Sequence, residues 1–529
     1  MQRTDVRTSA FPPRAAPSVP RRPRAFAAAL SPLTLATLWA VPAHAEDWVP
    51  GLRLYERLTL TDNVHLSDTN EQTAFVLQTS PELSLRRSTD RTYTQIEYRP
   101  SLYLYSNSID DTTVWHQLNS LYRLEAVDDF FFVEARARAI DSFFSPFQPG
   151  TWGDVANVNN RLQNWSLGVS PYIRGMSPAG YRYLLRNDTW WTTTNQSLPD
   201  ELDSRVTGRF DAPDRGRASW SATYNYHYTK YQDSPSFYEQ QARLIGYYRV
   251  DPDLSVSARG GYETNDYSTD TYGGAIYGGG LDWTPNPRTT VSGFAEHRFF
   301  GTGYQADLRY RTRITSWRLR GLRDTRTYRD DVFALPAGDT RELLDATFSS
   351  RIPDPIEREQ AVEDFLATSG LPPTLNGPVN FYTNRVYTVN RVDAMAGLFG
   401  VRNAVTFTLF YRENDPITTN EVANVPEIFN FSNKLQQRGG VVEYSYNFDA
   451  LSALTTSVRR TYSKSTELVN TGLTDFTATE NVFRIALSRR LTPDTTGAVG
   501  LRWVNFDTDR PNSSYDEQAV FVAVSHRFF

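Results

Sequence analysis

The sequence has no cysteine and, in 529 residues, only three lysines and three methionines. Without cysteine there can be no disulfides, thiolate metal sites or cysteine nucleophile. With so little lysine, the 55 basic side chains are almost all arginine, apart from Lys230, Lys434 and Lys464. Beyond residue 45 no run reaches about 18 apolar residues, so no helix of the mature chain is expected to span a bilayer. A basic face for nucleic acid is also missing. Residues 1–45 hold six arginines and one aspartate, and the remaining chain carries a net charge of about −10.

Catalytic constellations are equally scarce. His65, His116, His227, His297 and His526 lie outside any nucleophile motif, and no two of them have metal-ligand spacing. The stretch GGAIYGGG reads as a strand and lacks the strand-to-helix context of a phosphate loop. No enzyme, catalytic residue, metal or cofactor is therefore expected.

Aromatic residues, by contrast, are plentiful: 30 Tyr, 30 Phe and 11 Trp. The N-terminus reads as an export signal. Arg21, Arg22 and Arg24 precede an apolar stretch from Ala25 to Val41, and Ala43-His44-Ala45 has the small-x-small form that signal peptidase cuts. Cleavage after Ala45 would leave 46–529 as the mature chain.

From there to the end, runs of roughly 10 to 16 residues alternate with period two. In SWSATYNYHYTKY, Trp220, Ala222, Tyr224, Tyr226 and Tyr228 share one face, and Ser221, Thr223, Asn225, His227 and Thr229 the other. NAVTFTLFYR repeats the pattern, although Phe410 interrupts its polar face. A soluble sandwich would also alternate, so the connections decide between the two. Short breaks with Pro, Gly or Asp chemistry, such as GMSPAGY, VDPDLS and LTPDTT, alternate with long ones such as IDSFFSPFQPGTWGDVANVN. FGTG near Gly301 reads as the one long-side break that is short. The fold expected is all-β, a transmembrane antiparallel up-and-down barrel of about 22 strands and not fewer than about 18. Its low mean hydropathy fits, since each strand is apolar on one face only.

Residues 331–380 interrupt the strand pattern. Within IPDPIEREQAVEDFLATSGLPP a helix is predicted, with Asp354 as N-cap, Pro355 in the first turn and Glu357 as the capping-box partner. Val362, Phe365 and Leu366 form its apolar stripe and Gly370 its stop. TRELLDATF reads as a shorter helix. By the loop alternation this excursion is extracellular, and it caps the barrel or folds into it as a plug.

Candidate pore-lining residues are the arginines on polar strand faces: Arg136, Arg138, Arg243, Arg249, Arg309, Arg311, Arg313, Arg318, Arg320, Arg484 and Arg502. Guanidinium groups in a narrow channel attract carboxylated or phosphorylated solutes. The competing and favoured expectation is that they pair with acids such as Glu97, Glu134 and Glu443 in a ladder that stiffens the lumen. The chain closes on FVAVSHRFF, whose terminal aromatics Phe528 and Phe529 resemble the C-terminal signal that barrel-insertion machinery reads.

Taken together, the export signal, the barrel pattern, the IPDPIEREQAVEDFLATSGLPP insertion and the following VNRVDAMAGLFGVRNAVTFTLFYRE resemble the outer-membrane proteins associated with PEP-CTERM/exosortase systems. That family is related to the barrel porins. The resemblance implies a bacterial outer-membrane location. It also implies a channel or secretion component for an exopolysaccharide, with outer-membrane lipid, the polysaccharide and periplasmic export components as partners. The alternatives are a diffusion porin for small solutes and a non-conducting structural or adhesive barrel.

Overall fold

The computed structural model describes residues 48–106, 108–150, 160–196, 198–214, 216–232, 235–267, 271–332, 338–372, 374–375, 385–417, 434–466 and 475–529. The export signal expected at 1–45 lies outside them. In chain order the strands are β1 (Trp48–Thr61), β2 (Ala74–Ser88), β3 (Thr92–Tyr105), β4 (Ser108–Val127), β5 (Phe131–Phe143), β6 (Arg161–Met176), β7 (Arg182–Thr194) and β8 (Glu201–Asp211). There follow β9 (Ala218–Tyr231), β10 (Ser236–Asp251), β11 (Leu254–Asn265), β12 (Tyr272–Asn286), β13 (Thr289–Arg298), β14 (Gly301–Arg311) and β15 (Thr315–Arg326). An excursion then carries helix α1 (Tyr328–Val332), β16 (Gly338–Asp339), α2 (Thr340–Phe348), α3 (Pro355–Ser369) and β17 (Thr374–Leu375). The chain returns through β18 (Tyr387–Phe399), β19 (Asn403–Pro416), β20 (Lys434–Asn447), β21 (Ser452–Thr466), β22 (Thr477–Thr492), β23 (Thr495–Thr508) and β24 (Tyr515–Arg527).

Apart from β16 and β17, which pair only with each other, the strands form one 22-stranded sheet. Neighbours in sequence pair antiparallel, and β24 closes on β1 with Leu58 opposite Val522 and Thr61 opposite Ala519. Closure leaves no free strand edge, the condition for crossing a bilayer with strands. The short breaks read from the sequence, GMSPAGY, VDPDLS and LTPDTT among them, are turns at one end of the barrel, here the turn end; the longer connections join strands at the other, the loop end. One expectation changes. FGTG is not the only tight connection at the loop end, because Tyr105 and Ser108 bound a hairpin there as well.

The period-two pattern sets the faces. On β24, Val520, Val522 and Val524 are exposed outward while Ala519, Phe521 and Ala523 are buried inward. On β9, Trp220 and Tyr224 face out and Ser221 and Thr229 are buried inside. Phe410, the interruption noted above, is an inward residue. Its ring occupies the space beside Gly439, its register partner, where a Cβ would come within 2.7 Å of the ring. Strand pairing continues past β24: Phe528 N donates to Leu52 O at 2.8 Å and Leu52 N to Phe529 O at 3.2 Å. Both terminal rings are exposed.

Candidate functional site

The excursion between β15 and β18 defines the interior. It leaves the wall at Arg326 and rejoins it at Tyr387, both at the loop end. The helices have the predicted termini. The Asp339 carboxylate accepts from Glu342 N at 3.0 Å to cap α2, and Asp354 accepts from Glu357 N at 2.9 Å to cap α3. Pro355 opens α3, and Gly370 ends it with φ +68, the left-handed conformation glycine adopts without strain.

These helices lie deep inside. Leu343 and Leu344 of α2, Val362 and Leu366 of α3 and Leu371 form a buried cluster with Met395, Phe399 and Ala404. Phe399 and Ala404 flank the 400–402 turn, so the cluster sits at the turn end. Phe365 packs on it, its ring edge-on to Phe348 and Phe399. Arg311 Nη1 donates to Ser349 Oγ at 2.7 Å and Arg351 Nη2 to Arg313 O at 3.2 Å, also at the turn end. Ser445 Oγ donates to Ser369 O at 2.5 Å. The described parts of the excursion thus span the length of β15, with α1 at the loop end and α2 and α3 at the turn end, about 30 Å for a tilted strand of that size. They lie within the lumen and are not an external cap.

α1 stays at the loop end and is tied to three parts of the wall. Tyr328 OH donates to Asn164 Oδ1 at 2.8 Å and meets Ser142 Oγ at 2.5 Å, on β6 and β5. Arg329 pairs with Asp203 at 2.8 Å and Asp330 with Arg205 at 2.6 Å, both on β8. Asp331 accepts from Arg412 of β19 and Tyr387 of β18. The Asp330 carboxylate also accepts from Thr327 N at 3.0 Å and from Thr327 Oγ1 at 3.3 Å, which ties it to the residue before α1. Burial would push the Asp330 carboxyl up, but the guanidinium of Arg205, with Arg329 and Arg326 nearby, outweighs that and holds it below the ordinary carboxylate range. Burial, the largest influence, raises the Tyr328 phenol, and the Glu201 carboxylate adds to it.

Two other loop-end segments fold inward. Leu66 from 62–73 and Phe147 from the segment after β5 are buried against Leu435, Ala478, Val504, Phe506 and Tyr515 of the β20–β24 wall.

Most of the candidate arginines are engaged. Arg136 pairs with Glu134 at 2.6 Å, alongside Arg123 and Arg186. Arg243 pairs with Glu296 at 2.7 Å, Arg309 with Asp307 at 2.9 Å and Arg502 with Glu517 at 2.5 Å. Arg318 reaches both Asp307 and Glu342 of α2, and Arg320 lies 3.8 Å from Asp393. Arg138 and Arg484 sit over the rings of Trp190 and Phe521, at 5.8 and 4.9 Å. Arg249 lies at the turn-end rim, paired with Asp214 at 2.8 Å. Arg313 is not on a strand at all. It occupies the exposed turn between β14 and β15, because strand pairing there ends at Arg311.

The densest network is not among the residues the sequence singles out. Arg298 on β13 meets Glu239 and Glu263 at 2.5 Å and Asp324 at 3.2 Å. The signal available is inward parity, since these acids fall on the inward face of β10, β11 and β15 near the loop end. His227 is a further addition, as a partner of Asp203 at 2.6 Å. Thr229 Oγ1 meets the same Nε2 at 3.0 Å. Acid and hydroxyl on one ring nitrogen do not form a nucleophile relay, which uses both nitrogens.

The chain matches no family model and no curated protein. Among solved structures it is similar to the siderophore receptor PirA from Pseudomonas aeruginosa, with 9% identity over 90% of this chain and 80% of that one and a TM-score of 0.38. It is similar to Pseudomonas aeruginosa OpdQ, with 11% identity over 92% and 100% and a TM-score of 0.36. A third is the FrpB iron transporter from Neisseria meningitidis, with 7% identity over 91% and 82% and a TM-score of 0.40.

Proposed function

We propose that the protein is a channel of the bacterial outer membrane, held closed by its own excursion, and that it serves the export of an exopolysaccharide. The observation that carries the channel reading is the path of the excursion, through the lumen from loop end to turn end. It is held there by ion pairs, hydrogen bonds and two small apolar clusters, one around α2 and α3 and one around Tyr328, and we read it as a plug that can move. A wall of 22 strands encloses more space than its own side chains fill, and the inward face is polar, as a water-filled passage needs. In this reading the turn end faces the periplasm. The exopolysaccharide assignment rests on the resemblance carried by the insertion and the stretch after it.

The fold itself suggests the deletion that tests this reading. Asp339 and Thr374 are partners in the β16–β17 ladder. Residues 340–373 can therefore be replaced by an Asn-Gly turn, the two-residue connection that antiparallel strands favour. Single-channel conductance in a planar bilayer is expected to be small for the full chain and large for this variant, and liposome efflux of the polysaccharide then tests the substrate. Large ohmic conductance in both proteins would indicate a diffusion porin, and no current in either a structural barrel.

A further inference from the structure

The lumen holds a second feature that the plug does not explain, a chamber of about 410 Å³ bounded by β8 to β15 and, from above, by Asp330 of α1. That is within the ordinary size range of a small-molecule site. Three of its arginines are neutralised: Arg205 by Asp330 and Asp203, Arg243 by Glu296, and Arg298 by Glu239 and Glu263. Arg323 donates to the carbonyls of Thr302 and Phe300.

Arg259 differs from all four. Its Cζ lies 3.6 Å from the centre of the Phe294 ring, and among the described residues it makes no hydrogen bond and no ion pair; Nε is buried without an acceptor. The nearby Glu296 carboxylate is taken by Arg243 through both oxygens, at 2.7 and 3.2 Å. The GGAIYGGG stretch accounts for the arrangement. Gly278 and Gly280 fall on the inward face with the buried Ile276, and they are the register partners of Arg259 and Phe294. A Cβ at Gly280 would stand 3.0 Å from Phe294 Cβ, so side chains there would fill the space the stacked pair uses.

Neutral polar groups complete the lining. Thr207 and Asn225 are opposite each other on β8 and β9, Thr223 follows on the same face, and none of the three side chains has a hydrogen-bond partner among the described residues. One uncompensated guanidinium accepts one negative charge, in the two-pronged geometry a carboxylate matches. The free hydroxyls and amide suit a hydroxylated body.

We propose that this chamber binds a hydroxylated organic monocarboxylate of one sugar ring, a uronate-type sugar acid, with Arg259 holding the carboxylate. The proposal rests on the lumen being open to water. Its test needs no bilayer, so its failure and that of the channel reading are separable.

The test is isothermal titration of the purified full-length mature protein in detergent with sodium glucuronate, glucose and inorganic phosphate. Glucuronate is expected to bind one to one, at least tenfold tighter than glucose or phosphate. Arg259→Gln is expected to weaken it at least tenfold, Arg259→Lys less, and Phe294→Leu in between, with heat-modifiable gel mobility showing each barrel intact. No glucuronate binding by the wild type, undiminished binding by Arg259→Gln, or phosphate binding as tight as glucuronate would each overturn the assignment.

Discussion

If α1 is a latch, breaking one of its ties should open the loop end without unfolding the barrel. Asp331 and Arg412 are the sharpest place to test this, because their side chains are only 9% and 5% exposed and screening is slight. Asp331→Asn breaks the buried ion pair with Arg412, a loss of about 3–5 kcal/mol. At about 1.4 kcal/mol per tenfold change, that corresponds to roughly a hundredfold to several-thousandfold more of the unlatched state.

Because the chain lacks cysteine, Thr327→Cys gives a single thiol at a position that is 0% exposed. Maleimide labelling of it then reports how often α1 lifts, and the lost Thr327 Oγ1–Asp330 hydrogen bond is common to every background. The labelling rate should rise by about two decades or more with Asp331→Asn. Arg412→Met should cost less, and the double variant should return most of the way, since removing both charges leaves neither orphaned. Equal labelling in all four backgrounds, or a double variant that labels faster than Asp331→Asn, would refute the latch.

Acid should release α1 only under harsh conditions. The folded Asp330 carboxyl titrates below its unfolded value, so its stabilisation is complete above about pH 4 and is lost as pH falls further. The Tyr328 phenol is raised, so its contribution is complete below about pH 10. Neither of these two groups titrates between pH 5 and 9, so a step in closed-state conductance inside that window that Tyr328→Phe abolishes would contradict the assignment. Leu344→Ala, at the fully buried centre of the plug, should cost the α2–α3 unit about 2–5 kcal/mol. Conductance should rise while the barrel's melting, read by heat-modifiable mobility, stays put. Phe521→Ala should do the reverse, lowering the melting temperature, because that ring sits in the wall between Arg57 and Arg484. Gly370→Ala should cost about 1 kcal/mol at its positive φ and loosen the end of α3; unchanged noise in the open-channel current would count against it.

The fold is legible in the sequence because a barrel wall is written locally. Alternation gives each strand its two faces, and turn residues mark where it reverses. The tight β3–β4 hairpin is harder to read because Tyr105-Ser106-Asn107-Ser108 carries neither Gly nor Pro, and its Ser and Asn, though turn formers, also fit the polar face of a strand. The plug helices are legible for the same reason, through Asp354, Pro355 and Gly370. Their depth is not, since a cap specifies where a helix starts and not what it docks against. Nor are the ion pairs: Arg298 finds acids on β10, β11 and β15, and which of these share a depth depends on register across several strands.

One kind of anomaly does encode the plug. An apolar side chain on the inward face of a polar lumen needs cover from water, and several such residues have found it. Phe410 lies over Gly439, and Phe521 under two guanidinium groups. Met395 and Phe399 are covered by α2 and α3, and Val504 and Phe506 by Leu66 and Phe147. Glycine or arginine in the neighbouring strands can satisfy an isolated case. A group of them at one depth exceeds what neighbours can cover, because the wall supplies side chains only every second residue. The pair Met395 and Phe399, two steps apart on the inward face of β18, therefore requires something from outside the wall. The adjoining insertion is the nearest segment of chain with an apolar stripe to offer.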